Sequence, residues 1–411
     1  MSSGGRVEVP TGSLGSRAER RPPLLVVSWR SPDTPSQLRL RALCEELSYS
    51  WAVHLAFFSG GRSDGDSVWI AHPAPPVVAR PPRYTRADRM LAAATLRSPH
   101  TVALGGAVRR AWLEKLIREI DPAVVVLNGL PAAGALPPAE WRRAVLDSQQ
   151  AEYPRLRRLA GRAGSGRAST GLLVRAALAR RLEGRLARAC AGVWAATEGD
   201  AAYFRSLGAQ RVWTIHNGTR LPEAEILPHV DRRREDPVRL LHVLPPGSAA
   251  ARAGLREFLE EWAPLLPEPW TLDVVGATME PGSAIDPRVH LVGRVGNLAL
   301  EYASHDALVV PFRQAEAARG EVLEACAMGL PVLATAAVAE GIGLVDGRTY
   351  LRAESAREAA ERVRWLRDHP EALAGLAARA REHIRTFDWA VIGRIADAAL
   401  QSVAENRARN R

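Results

Sequence analysis

Two glutamates, Glu316 and Glu324, are the residues of this sequence best suited to chemistry. Glu316 lies in a loop after a predicted strand, 307–311, and Glu324 lies on a predicted helix, 319–329. The start of such a helix presents unpaired backbone N–H groups and a partial positive charge, which together bind phosphate. Carboxylates beside that point can accept hydrogen bonds from the hydroxyls of a sugar and a ribose. The pattern therefore predicts a nucleotide-sugar site.

The residues after this helix define its end and the element that follows. Gly329 is placed to end the helix, Pro331 lies just beyond it, and the apolar run 332–335 predicts a second strand. A strand, a loop, a helix and a further strand form a βαβ unit. An ordinary βαβ unit without a ligand is the alternative interpretation of this segment.

The same segment resembles the donor half of the family 4 glycosyltransferases, which share the GT-B fold. The resemblance rests on Glu316, seven intervening residues, Glu324 within the V-L-E-A of 322–325, and the G-L-P-V-L-A-T of 329–335. The sugar transferases associated with exosortase (PEP-CTERM) systems are the most similar subgroup. They are matched by V-P-F-R at 310–313 and A-V-A-E-G-I at 337–342.

This resemblance implies an α/β protein of the GT-B fold, with two doubly wound Rossmann-like domains facing across a cleft. It implies a hexosyltransferase-like enzyme that moves a sugar from a nucleotide sugar to a glycan or lipid-linked acceptor. The expected setting is cell-envelope or exopolysaccharide synthesis. A nucleotide-diphosphate sugar is the donor substrate, and no cofactor is implied.

The resemblance also assigns roles to individual residues. Glu324 is expected to hold the ribose, Glu316 the donor sugar, and the turn 317–320 with Arg313 and Arg319 the diphosphate. The residues expected to bind the nucleotide sugar are Glu316, Glu324, Arg313, Arg319, Ala317, Ala318, Gly320, Val322 and Arg252.

The sequence departs from this pattern in its cations. Its only lysine is Lys115, whereas the subgroup has a lysine where this chain has Glu321. At an effective dielectric of about 20, a unit charge about 4 Å from a phosphate contributes about 4 kcal/mol. Arg252, Arg313 and Arg319 either compensate as phosphate clamps or are solvent-exposed.

This departure leaves three functions open. The first is an active glycosyltransferase, and the second is a catalytically inactive GT-B protein that binds or assembles with an active transferase. The third is a nucleotide-sugar epimerase, which would process the donor without any acceptor.

Asp147 is the candidate catalytic carboxylate. It ends a predicted strand, 144–147, and parallel sheets bind ligands outside the carboxyl ends of their strands. Its alternative role is to cap the following helix. His216 and His305 are expected to serve packing or hydrogen bonding. No His, Cys and carboxylate cluster has metal-ligand spacing, so no metal is predicted.

The charge of the chain is unevenly distributed. The net charge of +10 comprises 32 basic and 17 acidic residues in 1–220, against 23 and 28 in 221–411. Residues 153–190 hold ten arginines and one acid, Glu183, with leucines at helical spacing. This segment either binds an anionic membrane surface, holds the pyrophosphate of a lipid-linked acceptor, or forms a solvated face. No aromatic residues interleave with these arginines, so nucleic acid is not a predicted partner.

Length and composition predict the organisation of the chain. At 411 residues and 47% apolar, it suits two globular domains. The predicted division, in chain order, is a disordered N-terminus (1–21), an acceptor-side domain (22–218), a linker (219–237), a nucleotide-sugar-binding domain (238–388), and a helix (389–405) that crosses back to the first domain. The three separated cysteines and the missing signal peptide predict a cytoplasmic location. If the segment 153–190 binds an anionic membrane surface, the protein is peripheral at the inner face of the membrane.

Overall fold

A computed structural model gives the structure of this chain. It describes residues 21–30, 37–58, 70–73, 107–164, 166–222, 235–245, 249–276, 286–311 and 320–409. The chain divides into two compact units. Unit 1 comprises Met1–Thr214 and Gly393–Arg411, and unit 2 comprises Ile215–Ile392. Sequence patterns also predict a helix at 86–93, which lies outside the described residues.

Unit 1 contains a parallel sheet of seven strands in the order β3-β2-β1-β4-β5-β6-β7. Its strands are β1 Pro23–Ser28, β2 Ala52–Phe57, β3 Ile70–Pro73, β4 Val124–Asn128, β5 Ala144–Ser148, β6 Gly192–Ala195 and β7 Val212–Thr214. The strand order reverses between β1 and β4, which is the switch point of a doubly wound fold.

The helices of unit 1 connect these strands. They are α1 Leu38–Leu47, α2 Ala107–Ile120, α3 Glu152–Arg162, α4 Arg167–Ala189 and α5 Glu198–Ser206. The helices α3 and α4 pack on each other through a small apolar cluster of Leu156, Ala176 and Ala179. Residues 153–190, which sequence predicts as one basic segment with a helix from Leu172, thus form a helical hairpin.

Unit 2 contains a parallel sheet of six strands in the order β10-β9-β8-β11-β12-β13. Its strands are β8 Val238–Val243, β9 Trp270–Val275, β10 Val289–Gly293, β11 Ala307–Val310, β12 Val332–Ala334 and β13 Leu351–Arg352. Its helices are α6 Ala249–Glu257, α7 Leu298–Ser304, α8 Gly320–Ala327, α9 Ala336–Glu340, α10 Ala356–Asp368 and α11 Pro370–His383. The order reverses between β8 and β11, as it does between β1 and β4 in unit 1.

A last helix, α12 Trp389–Arg409, runs from unit 2 into unit 1 along the chain. Within unit 1, Asp397 of this helix accepts hydrogen bonds from the Trp51 indole at 2.6 Å and the Ser50 hydroxyl at 3.1 Å. Gly393 lies so close to Glu46 of α1 that a Cβ atom there would be 2.4 Å from the Glu46 Cβ. The chain therefore needs glycine at this helix contact.

The strands form because apolar runs bury both faces of a parallel sheet. Leu24, Leu25 and Val27 of β1 are fully buried, and so are the residues of β11. Gly329 has a φ of 76°, which lets the chain leave α8 in the left-handed conformation that glycine adopts most easily. The predicted end of this helix and the strand after it are confirmed.

The predicted fold class, an α/β protein with two doubly wound parallel sheets, is confirmed. Sequence patterns did not predict the short elements β3, α9 and β13, which are too brief to show a period. No helix in the described part of the chain combines the length and the apolar character that crossing a membrane requires.

Candidate functional site

Glu324 is the predicted donor residue that the structure describes most fully. It lies on α8, the helix that follows β11 along the chain, at the switch point of the unit 2 sheet. The hydroxyl of Tyr302, on α7, donates a hydrogen bond to Glu324 Oε2 at 3.1 Å. Tyr302 is only 3% exposed, so packing holds this hydroxyl in place. Sequence reasoning missed Tyr302 because it precedes Glu324 by 22 residues and belongs to no motif.

The electrostatics of Glu324 are set by burial and by Glu321. Burial raises the pKa of the Glu324 carboxyl above its usual value, the Tyr302 hydrogen bond opposes this, and the charge of Glu321 raises it further. Burial, together with the neighbouring Glu324, also raises the pKa of Tyr302, so its hydroxyl remains a donor at neutral pH. Glu321, the acid in place of the subgroup's lysine, thus acts on the predicted ribose-binding carboxylate.

The other predicted donor residues fall into two groups. Glu316, Arg313, Arg319, Ala317 and Ala318 lie outside the described residues, so their roles stay predictions. Gly320 is exposed at the start of α8, and Arg252 is exposed on α6. Val322 is fully buried in the unit 2 core, so its side chain serves packing.

Asp147, the candidate catalytic carboxylate, lies at the carboxyl end of β5 and is 1% exposed. The guanidinium of Arg39, on α1, donates to Asp147 Oδ1 at 2.8 Å. Arg39 is itself 6% exposed, so the two charges form a buried ion pair. An aspartate committed to an arginine in this way is suited to positioning, and its catalytic role stays a prediction.

Unit 1 has a cavity of about 410 Å³ at the carboxyl ends of β1, β4 and β5. Its polar wall is a hydrogen-bonded chain: Gln149 donates to Asn128 at 2.7 Å, and Asn128 donates to Gln37 at 2.7 Å and to Ser28 at 3.0 Å. The opposite wall combines leucines and arginines of α3 and α4: Arg155, Leu156, Arg175, Leu178 and Leu182. The cavity is therefore amphiphilic and carries positive charge.

The hairpin of α3 and α4 is fixed at one end by Glu183, a buried residue of α4. The Glu183 carboxylate accepts hydrogen bonds from the backbone N–H of Glu152 at 2.7 Å and from the Tyr203 hydroxyl at 2.7 Å. Burial raises the pKa of Glu183 to about 7. Further along the hairpin the apolar side chains of Leu159, Leu173 and Val174 are exposed.

The fold class of the chain is that of the GT-B glycosyltransferases. The structure is similar to a sucrose-phosphate synthase from Thermosynechococcus elongatus, with a TM-score of 0.68 and 16% identity over 94% of this chain and 100% of that one. It is also similar to Anabaena Alr3699/HepE in complex with UDP and glucose (TM-score 0.61, 13% identity, 93% and 100% covered). WaaG, a glycosyltransferase involved in lipopolysaccharide biosynthesis, gives a TM-score of 0.58 at 18% identity, covering 92% and 99%. At these identities the similarity establishes the fold.

One family model matches part of the chain. Residues 242–369 match the sequence profile of the family described as glycosyl transferases group 1, which covers β9 to β13 and Glu324. The predicted resemblance to glycosyltransferases is thus confirmed at this level for unit 2. No curated protein matches the sequence significantly. The resemblance to family 4 and to the exosortase-associated subgroup stays a prediction.

Proposed function

We propose that this protein is a glycosyltransferase that moves a sugar from a nucleotide sugar to a glycan or lipid-linked acceptor. The observation that carries the proposal is the position of the Glu324 carboxylate. Glu324 lies on the helix at the switch point of the sheet, within the segment that matches the glycosyltransferase profile, and the Tyr302 hydroxyl orients its carboxylate. A carboxylate held in this way can accept hydrogen bonds from two vicinal hydroxyls, as a ribose presents them.

The anomeric carbon of the donor sugar loses its bond to the diphosphate oxygen and gains a bond to an acceptor hydroxyl oxygen, which releases its proton. The leaving diphosphate must therefore be stabilised as negative charge develops on it. Arg313, Arg319 and the N-terminal N–H groups of α8 are proposed to supply this positive charge, with Glu316 on the donor sugar. Arginine can take the place of lysine here because its guanidinium binds phosphate oxygens in a bidentate manner. A helix start adds roughly half a positive charge.

The acceptor is proposed to bind in the amphiphilic cavity of unit 1. Its amide wall, formed by Gln37, Asn128 and Gln149, suits the hydroxyls of a sugar. The leucines of α3 and α4 suit the apolar chain of a lipid. Arg155 and Arg175 suit a phosphate group that links the sugar to this chain. These features favour a lipid-linked acceptor over a free glycan.

The α3–α4 hairpin is proposed to rest on an anionic membrane surface. Its exposed apolar residues, Leu159, Leu173 and Val174, lie among exposed arginines, as membrane-surface helices require. This proposal places the protein on the cytoplasmic side of a membrane, in cell-envelope or exopolysaccharide synthesis. Flotation with vesicles that contain anionic lipid tests it, and Leu173→Glu should weaken the association.

The central experiment measures donor turnover by the purified chain. A panel of nucleotide sugars that begins with UDP-glucose is incubated with and without lipid-linked acceptors, and hydrolysis, transfer and epimerisation are followed separately. Transfer that depends on acceptor supports the proposal. Donor isomerisation without acceptor would instead support an epimerase.

A second function is favoured by one observation, the position of Glu321. This acid stands where the similar subgroup has lysine, and its charge raises the pKa of Glu324. A GT-B protein without turnover, which binds an active transferase, would tolerate such an acid. Binding of nucleotide without turnover, together with turnover in Glu321→Lys, would support this second function.

A further inference from the structure

A cluster of two histidines and two carboxylates lies in unit 2, apart from the residues proposed to hold the donor. Asp273 on β9 and His290 on β10 are paired across neighbouring strands, and His290 Nδ1 is 2.8 Å from Asp273 Oδ1. His305, which follows α7, has Nε2 3.2 Å from Asp273 Oδ2. Glu301 completes the cluster from α7, one turn before His305. One donor atom from each of Asp273, Glu301 and His305 lies within 4.8 Å of the others.

The hydrogen bonds of His305 determine what its second nitrogen can do. His305 Nδ1 is 2.6 Å from the backbone carbonyl oxygen of Glu301, and a carbonyl oxygen can only accept, so Nδ1 carries the hydrogen. In the neutral ring Nε2 then has a lone pair, and this lone pair points towards the Asp273 carboxylate. Nε2 is thus available as a metal ligand, with a carboxylate oxygen of Asp273 3.2 Å away.

The ligand atoms are partly shielded from water. His305 is 4% exposed, while Asp273 and Glu301 are half-buried. Two carboxylates brought together in such a place are stabilised by a cation bound between them.

We propose that Asp273, Glu301 and His305 bind a divalent transition-metal ion, with His290 or water as a fourth ligand. Imidazole with carboxylate ligands in a site of low coordination number is a donor set that Zn²⁺ accepts, whereas Mg²⁺ and Ca²⁺ prefer oxygen alone. The Nδ1–H bond to a backbone carbonyl is the arrangement that orients metal-binding histidines. Zinc ligand atoms lie about 3.4 Å apart in a tetrahedron, so the side chains close in by roughly an ångström.

The ion would join three elements of unit 2: β9, the edge strand β10 and the end of α7. Tyr302, which orients Glu324, lies on α7 between Glu301 and His305. An ion at this place therefore stabilises the helix that carries Tyr302. Binding of the ion is independent of glycosyl transfer.

The test uses the full chain without a histidine tag, stripped with EDTA and dialysed. Equilibrium dialysis against Zn²⁺, with metal quantified per chain, should give one equivalent, and thermal unfolding should shift upwards by about 3 °C or more. An equal concentration of Mg²⁺ should give neither effect. His305→Gln should weaken Zn²⁺ binding at least about tenfold and abolish the thermal shift, because a ligand is lost.

One variant serves as a control, and another replaces His305→Gln if that protein does not fold. His369→Gln, which changes an exposed histidine on the surface of unit 2, should bind Zn²⁺ as the wild type does. If His305→Gln does not fold, Glu301→Gln, which changes a half-exposed ligand, carries the same test. Two results would overturn the proposal: less than about a tenth of an equivalent of Zn²⁺ bound per wild-type chain, or Zn²⁺ binding by His305→Gln equal to that of the wild type. The cluster would then be a hydrogen-bonded network without a metal.

Discussion

Each unit contains a glutamate that accepts a hydrogen bond from a tyrosine, and the two glutamates differ in their remaining partners. The Glu183 carboxylate of unit 1 accepts a hydrogen bond from the Tyr203 hydroxyl. It also accepts hydrogen bonds from the backbone N–H groups of Glu152 at 2.7 Å and Tyr153 at 3.4 Å. Among the described residues, Tyr302 is the one side chain that donates to the Glu324 carboxylate of unit 2. Glu183 is fully buried, whereas Glu324 is half-buried. The protein itself saturates Glu183, while Glu324 keeps acceptor capacity for a ligand.

Asp147 extends this comparison to a third carboxylate. Its partner is the buried cation of Arg39, so its charge is neutralised inside the protein. Asp147 is neutralised by a cation and Glu183 is occupied by several donors, so both serve the fold, whereas Glu324 has a single neutral donor and keeps charge and acceptor capacity for a ligand. Substitutions at these carboxylates and at their partners should separate the two roles.

Arg39→Ala should have the largest effect, because it leaves the 1% exposed Asp147 without its cation. Removing one partner of a buried ion pair costs about 3–5 kcal/mol. Urea unfolding should show this loss in the transition of unit 1. Arg41→Ala is the matched control, because Arg41 is an exposed residue of the same helix whose pair with Glu45 contributes at most about 0.5 kcal/mol. A stable but inactive Arg39→Ala protein would instead assign the pair to catalysis.

Glu324→Ala should weaken nucleotide binding by about 10- to 100-fold, because hydrogen bonds to a charged group contribute about 1.5–3 kcal/mol. Calorimetric titration with the nucleoside diphosphate of the preferred donor measures this directly. Glu361→Ala, a change in an exposed glutamate of the same unit, should leave affinity unchanged. Wild-type affinity in Glu324→Ala would refute the ligand-binding role of this carboxylate.

Glu183→Gln should change how stability depends on pH. The pKa of Glu183 is raised from 4.5 to about 7, so the folded state favours its protonated form. Its stabilising contribution is complete below about pH 4.5 and is lost as pH rises towards 7, a loss of about 1–3 kcal/mol. Between pH 5 and pH 8 the variant should therefore lose less stability than the wild type in urea unfolding. Parallel behaviour of the two proteins would contradict the burial argument, and Glu119→Gln, an exposed change, is the control.

Tyr302→Phe should have the smallest effect, because it removes one hydrogen bond to Glu324. The free energy of nucleotide binding should become less favourable by about 0.5–1.5 kcal/mol, which weakens binding roughly 3- to 10-fold. The Tyr302 hydrogen bond lowers the pKa of Glu324, so its loss raises that pKa further. Binding should then fall at a higher pH than in the wild type when the solution is acidified. Calorimetry at several pH values checks this shift, and Tyr350→Phe, another buried tyrosine of unit 2, is the control. A weaker affinity with an unshifted pH profile would mean that Tyr302 acts only through packing.

The comparison also shows what sequence patterns could and could not predict. Apolar runs and the Gly329–Pro331 helix stop located the βαβ unit around Glu324, because these signals are local. The partners of the carboxylates were not predictable, since Arg39 is 108 residues from Asp147 and Tyr302 is 22 residues from Glu324. No local period connects such residues; the order of the strands brings them together. The expected hydrogen-bonding role of His305 is confirmed by its contact with the Glu301 carbonyl, whereas its contact with Asp273, 32 residues earlier, was not predictable for the same reason.

The helix α12 has a consequence for how the chain is made. Unit 2 is one continuous segment, whereas unit 1 takes its last helix from residues 393–409, which the ribosome adds after all of unit 2. The Trp51 indole and Arg407, which donates to the carbonyls of Pro122 and Ala123, find their partners only at that stage. The half of the protein that is translated first is therefore completed last, and a released chain truncated after Ile392 should contain a finished unit 2 and a protease-sensitive unit 1.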